Sequence, residues 1–551
     1  MTRPLGRDVG GGSVSDQSFL RKALTVNISR RGFVRVATRA AIAAASGPFI
    51  ISRSGRAAVS QTPVVIVYGV PRATMDPQNH LNTYDESPLG NMFENLVDMS
   101  NPIDPYKGWK PMLALSWKRV NDKTFQFKLR EGVKFHDGEE FNAETVKFSI
   151  DRLLARVDPN FKPFSVTWHA YDPIDRAEPV DRHTVNIILK TADPIVLNRF
   201  NGFGMRMVAP KHYSSHDTAF LQTNPIGTGP YRFVSWVKDG DLVLEANDQY
   251  WGGAPAFKRV IVRTAPEAST RVSALLAGEA DVIIGVPAEQ ADTVGRSGRA
   301  RVEHVHSNRL GFWRMNMHVP PTDNAKLRAA VNYATNMGEL LKTVYNGLGE
   351  QISTVVGKYH YGYDATIPFY PHDLDKARSL LKESGLTLPA TVNFHYIQGR
   401  YTKDKDMGEG IVSEVNKIGA QYIRVVPHLY EAGTFYSLTN AGKLDGITFA
   451  SWGDWMFDAD IDLGPNFHSK TVPTPDYPNS PDLDALIDEA RSTLDDRKRR
   501  ELYSRAQRMI WVTSPAIFGM QVEDMYGVSN RVNWRPRPDE MIWAKEMTPR
   551  G

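Results

Sequence analysis

The 551-residue sequence contains no cysteine. That absence excludes disulfides, thiolate zinc sites, thiol nucleophiles and cysteine-ligated iron–sulfur clusters. It also removes the residue on which a lipoprotein anchor is built, so no lipid anchor is expected. Long apolar runs are missing as well. No stretch beyond the N-terminal leader approaches the roughly 18 apolar residues that read as a membrane span. Neither sign of charge dominates: 66 basic residues face 62 acidic ones, a net +4. Nucleic-acid binding needs a concentrated basic face, and none is signalled. Catalytic signatures are absent too. There is no Walker loop, no G-x-S-x-G elbow and no H-E-x-x-H pair. The glycine pair in Gly227-Thr228-Gly229 runs into Pro230, so no helix N-terminus is available there to hold a phosphate.

What is present begins with size. A single core rarely grows past about 250–300 residues, so two or more lobes are expected. Charge is unevenly placed. Residues 1–58 hold ten basic and two acidic side chains, a net +8, which leaves 56 basic and 60 acidic residues, a net −4, in the rest. Within the leader, Arg30 and Arg31 precede a small-residue, mildly apolar run from Val36 to Ile51. Twin arginines before such a run read as a twin-arginine export signal, and Gly55-Arg56-Ala57 offers small residues for a peptidase. A basic arm that binds an acidic partner is the alternative reading of the same residues.

The remaining chain mixes strand and helix signals throughout. Pro63–Val70 is a β-branched run that reads as a buried strand, and Lys123–Leu129 alternates like a half-buried one. Tyr84–Val97 is compatible with a helix. Asn142 caps a helix that buries Val146, Phe148, Ile150 and Leu153, with Thr145 three residues on. Helical patterns cover Lys326–Tyr333, Glu339–Val344, Asp373–Ser384, Gly408–Lys417, Pro481–Leu494 and Arg497–Val512. The mixture argues an α/β fold.

Two features carry chemistry. His304 and His306 stand two apart, which on a strand puts both on one face. That is either a metal pair or an ordinary surface face, and no third ligand is signalled nearby. The stretch Ala450–Phe467 packs Trp452, Trp455 and Phe457 among Asp454, Asp458, Asp460 and Asp462. Rings supply contact area and carboxylates fix an ammonium, so the stretch suits a cavity for a cationic or amphiphilic solute. The alternate aspartates also resemble a calcium loop, without its glycine and terminal glutamate. An acidic loop over a core tryptophan is the bland alternative.

Leu113–Ile150, with its F-x-L-R strand, V-K-F-H-D-G turn and A-E-T-V helix start, resembles the extracellular solute-binding proteins of peptide/nickel-type ABC importers, family 5. Further blocks follow in the family's order: Pro225–Tyr231, Tyr250–Gly253, Ala274–Asp281, Lys326–Val331, Asp375–Arg378 and Gly399–Tyr401. The resemblance implies a two-lobed periplasmic-binding-protein fold with an extra inserted domain and a ligand cleft between the lobes. It implies residues 59–100, 220–312 and 516–551 in the first lobe, 101–219 as the inserted domain and 313–515 as the second lobe. It implies closure by hinge motion, with no bond made or broken in the ligand and no cofactor.

The implied site residues are Asp454, which would pair with a ligand ammonium as in peptide-binding members, with Trp452 and Trp455 beside it. The spacing here is one residue shorter than in those members, and Asp458-Ala459 stands where Asp-Pro is usual. Arg400 would meet a ligand carboxylate or make a salt bridge within its lobe. Tyr84 and Trp168 are pocket candidates by aromatic character. The expected protein is a monomeric periplasmic receptor that delivers a peptide-like, opine or amino-acid-conjugate solute to a membrane permease and its ATPase subunits. A receptor for a metal chelate or haem, and an exported hydrolase or redox enzyme, are the competing readings.

Overall fold

The computed structural model describes residues 59–551 apart from 81, 102–107, 158–160, 162–169, 239, 471–476, 478–479 and 551. Arg30, Arg31 and Trp168 lie outside the described residues.

One large mixed sheet runs through the molecule. Its strand order is Ile423–Glu431, Ala390–Gln398, Ile447–Gly453, Ala300–Met315, Ala516–Ser529, Val282–Ile284, Val64–Tyr68, Arg259–Thr264, Leu242–Ala246 and Tyr231–Trp236. The β-branched run at Val64–Tyr68 lies inside this sheet, parallel to both Arg259–Thr264 and Val282–Ile284. Parallel neighbours buried on both faces account for its continuous apolar character.

Two strands hold the halves of the sheet together. Ala300–Met315 and Ala516–Ser529 pair antiparallel along most of their length. The pairing slips between His306 and Leu310. Before the slip, residues 300–306 face 523–529; beyond it, Arg309–Met315 also pairs with Ile447–Gly453. The expected lobe boundary at 312/313 therefore falls inside a continuous strand. The change of neighbours occurs at the bulge, a few residues earlier.

Residues 114–189 contribute a separate four-stranded antiparallel sheet, covered by the helix Ala143–Leu153. The Asn142 side chain accepts from the Glu144 and Thr145 amides, while the Thr145 hydroxyl accepts from the Asn142 amide, the reciprocal cap read in the sequence. This sheet has no core of its own: Phe127 and Ile187 belong to one buried cluster with Val64 and Leu244.

Three readings are corrected. The helix expected over 84–97 is only Thr83–Leu89. Gly90 caps its end, where a Cβ would stand 2.2 Å from Trp543 Nε1, and the chain continues to the strand Val97–Met99. The strands Ala300–Met315 and Ala516–Ser529 are longer than the pattern marks; burial on both faces erases alternation over most of the second and over most of 307–315 in the first. Residues 450–467 are not a loop. They are the end of a strand, a turn and the helix Ala459–Phe467, capped by Asp458.

Candidate functional site

A cavity of about 450 Å³ lies over the slipped pairing of the two long strands. Strand ends and loops from both sides of that crossing line it: Tyr68 and Tyr84, Arg309, Gly399–Asp406, Phe449 and Ser451, Val522–Tyr526 and Glu540.

The crossing itself is pinned. Asn308 donates its amide to the Pro538 carbonyl and its side-chain Nδ2 to the Asp454 carbonyl at 2.6 Å. Gln521 Nε2 donates to the Ser307 carbonyl. These bonds satisfy backbone groups that the bulge leaves out of the ladder. Next to them, Arg309 grips Glu540 in a two-point contact: Nε to Oε1 at 2.6 Å and Nη2 to Oε2 at 2.9 Å. The Thr83 hydroxyl adds a bond to Oε2 and the Ser307 hydroxyl one to Oε1. Glu540 is held as a carboxylate below its ordinary range, because the Arg309 guanidinium outweighs the cost of burial.

Arg400 is placed differently. The turn that carries it is folded around one side chain. The Asp404 carboxylate accepts from the amides of Gly399, Arg400, Tyr401 and Lys405. Gly399 enters the turn at φ +84°, a conformation that glycine adopts without strain. The guanidinium then lies over two rings, 5.3 Å from the centre of Tyr401 and 4.7 Å from that of Tyr436. Among the described residues it has no carboxylate within ion-pair distance, and its buried Nε has no hydrogen-bond partner. Burial pushes the Tyr401 phenol up, yet Arg400 and Arg309 beside it bring it below its ordinary value. The pocket is thus electropositive around Arg400 and lined by rings.

Tyr84 lines the same cavity, packed edge-on against Tyr68 at 5.9 Å. The structure brings together Arg400 and Tyr84 and leaves the tryptophan–aspartate group apart. Asp454 is fully buried and does not line the cavity. Its oxygens accept from the amides of Met456 at 2.7 Å and Asp458 at 2.5 Å, which closes the turn after the strand. Trp455 stacks on Phe203 at 4.9 Å, nearly parallel, and Trp452 packs between two core clusters. The expected ammonium pocket at Asp454, Trp452 and Trp455 is therefore a packing element here.

The alternate aspartates are likewise engaged. Asp458 pairs with Arg499, Asp460 with both Arg199 and Arg491, and Asp462 with His360 Nδ1 at 2.6 Å. Such pairing leaves no open calcium loop. His304 lies 3.5 Å from Glu523, and His306 stacks on Tyr359.

Residues 108–473, more than half of the chain, match the family described as bacterial extracellular solute-binding proteins, family 5. The chain belongs to this family. Among its relatives is the glutathione-binding protein GsiB of Pectobacterium atrosepticum, 27% identical over 471 residues that cover 82% of this chain and 87% of GsiB. The dipeptide-binding protein of Escherichia coli is 28% identical over 74% of this chain and 80% of its own length. The heme-binding protein A of Haemophilus influenzae is 28% identical over 74% and 78%. In three dimensions the chain resembles a dipeptide-binding protein from Pseudoalteromonas sp. SM9913 in complex with Met-Leu, with a TM-score of 0.80, 22% identity, and 89% of this chain and all of that one covered. The fold is the two-lobed α/β fold of the family's periplasmic binding proteins. No helix among the described residues is long and apolar enough to cross a membrane.

Sequence reading missed Arg309, Glu540, Asp404 and Asp524. A signal for the last was there: Glu523-Asp524 is an acidic pair inside an otherwise apolar run.

Proposed function

We propose that this family member is a periplasmic receptor for a small amino-acid-derived solute with a free carboxylate, which it delivers to an ABC permease and its ATPase subunits. The observation that carries this is Arg400, an arginine without a carboxylate partner aimed into a cavity of about 450 Å³. Guanidinium binds carboxylate by two parallel hydrogen bonds, with geometric as well as electrostatic preference. The relatives that bind glutathione and dipeptides, and the likeness to the binding protein AgaA in complex with agropinic acid at 24% identity and a TM-score of 0.77, agree with such a ligand class.

The topology supports a reading in which the two sides close on the ligand. We place the hinge at the bulge around Ser307–Arg309 and at Gln521–Glu523 of the partner strand. The loop 399–406 approaches from one side of this crossing and Tyr68, Tyr84 and Glu540 from the other. A ligand held by both sides favours the closed arrangement. No bond is made or broken in the ligand.

The test is calorimetry with glutathione, Met-Leu and mannopinic acid on the protein and on Arg400→Ala. At least one solute is expected to bind, and Arg400→Ala is expected to lose roughly 30-fold or more in affinity, as when one partner of a buried charge pair is removed. Binding that Arg400→Ala leaves intact would overturn the assignment.

A further inference from the structure

The cavity contains several carboxylates, and all but one of those near its floor have partners. Glu540 is gripped by Arg309. Asp404 is filled by four backbone amides. Asp406 and Glu289 both face Lys403, at 3.3 and 3.6 Å. Glu523 faces His304 at 3.5 Å. Glu267 sits at the exposed rim. Asp524 is the exception in lacking a cation or a filled oxygen pair, since among the described side chains only the Ser307 hydroxyl bonds to it. It lines the cavity, its Oδ2 is buried without a hydrogen-bond partner, and no cation of the described residues stands within ion-pair distance.

We infer that Asp524 is the subsite for a cationic group of the solute, so that the ligand is a zwitterion held by Asp524 at its ammonium and by Arg400 at its carboxylate. This rests on the reading of the cavity given under the proposed function. A buried carboxylate oxygen without a partner carries an uncompensated desolvation cost, and the ammonium of a bound solute removes it. The phenol rings of Tyr68, Tyr84 and Tyr526 line the same cavity and present faces that tolerate a cation. Position matters as well. Asp524 lies on the long strand opposite Val305, before the register slip, whereas Arg400 follows the strand Ala390–Gln398 on the other side of the crossing. One zwitterion touching both bridges the two sides, which ties recognition to closure.

The groups that face Asp524 are Glu540, Glu523, Arg309, Ser307 and Tyr526. Burial and then the Glu540 charge push its carboxyl up to about 7, against the opposing pull of Ser307 and Arg309. An ammonium binds the ionised form. Affinity for a zwitterion is therefore expected to be greatest above about pH 7 and to fall by up to about tenfold per pH unit below it.

The experiment compares Met-Leu and glutathione with their N-acetyl forms, which keep the carboxylates and lose the ammonium, by calorimetry at pH 7.5 and 5.5. At pH 7.5 the free-amine form is expected to bind at least about 30-fold tighter than its N-acetyl form. That ratio is expected to shrink at pH 5.5, and to collapse at both pH values in Asp524→Asn. The pH comparison on the unaltered protein needs no folded variant. Equal binding of the two forms at pH 7.5, or a ratio that Asp524→Asn leaves unchanged, overturns the cation subsite while the carboxylate receptor stands. Failure of every free-amine and N-acetyl form to bind overturns the receptor reading and the subsite together.

Discussion

Arg199 and Asp460, separated by 261 positions in the sequence, form an ion pair at 2.9 Å with both side chains fully buried. Arg199 also grips Asp193 at 2.7 Å, and Asp460 accepts from Arg491 Nε at 2.8 Å. The four side chains make a chain of alternating charge from the segment after the four-stranded sheet to the helix Pro481–Ser492. Nearby, Asn198 Nδ2 donates to the Met456 carbonyl and Trp455 stacks on Phe203. Of the acidic residues around 454–462, this network engages Asp460, while Asp458 pairs with Arg499 and Asp462 with His360.

Removing one member strands the others. Arg199→Met leaves Asp193 without its cation and Asp460 with one fewer. The expected loss is about 3–5 kcal/mol of unfolding free energy, the range for a broken buried pair. Urea denaturation measures it, and a change under about 1 kcal/mol contradicts a structural role for the network.

Asp454 separates the two roles proposed for it. If its carboxyl closes the turn by accepting from Met456 and Asp458, Asp454→Ala costs stability, on the order of 2 kcal/mol for two lost hydrogen bonds. Affinity of the folded protein for a bound solute is expected to change less than about twofold, well below the tenfold that 1.4 kcal/mol represents. A large loss of affinity at unchanged stability would return the ammonium site to Asp454.

Gly227 and Gly278 make a controlled pair. A Cβ on Gly227 would stand 2.1 Å from the Met92 carbonyl oxygen, a backbone atom that cannot step aside. Gly278 ends its helix at φ +82° with open space around it. Gly227→Ala is expected to cost more than about 3 kcal/mol by overpacking. Gly278→Ala carries only the left-handed backbone penalty, about 1–2 kcal/mol. Equal thermal shifts for the two variants would contradict this account.

Asp524 also leaves a mark on the unliganded protein. Its carboxyl is raised by the fold, so between pH 4 and about 7 the native state binds more protons at this site than the unfolded chain. Stability from this residue is therefore present at low pH and lost as pH rises through that window. Glu540 and Glu86, both lowered by arginine partners, act oppositely: their stabilisation is present above the unfolded carboxylate range and lost on acidification. Asp524→Asn removes only the first effect. Relative to the unaltered protein, the variant is expected to gain in urea midpoint as pH rises from 5 to 7.5. A difference that does not vary with pH contradicts the raised carboxyl.

Local signals were legible wherever a residue acts on its own neighbourhood. The reciprocal cap at Asn142 and Thr145 depends on atoms within a few residues. So does the β-branched core strand at 64–68. Arg400 was marked by the block Gly399–Tyr401 for either of two roles, and the structure places it at the cavity lining. Asp454 and the tryptophans misled because composition places rings and acids together without saying which way they face.

The sequence by itself determined the family, the α/β character and the absence of thiol chemistry, because these rest on residue identity and ordered local motifs. Only the tertiary structure decided which carboxylates are spoken for. Arg309 reaches Glu540 across 231 positions and Arg199 reaches Asp460 across 261. Asp524 is left without a cation within ion-pair distance among the described residues, and its Oδ2 has no hydrogen-bond partner. A charge is defined by what stands within a few ångströms of it after folding, and no spacing along the chain records that distance.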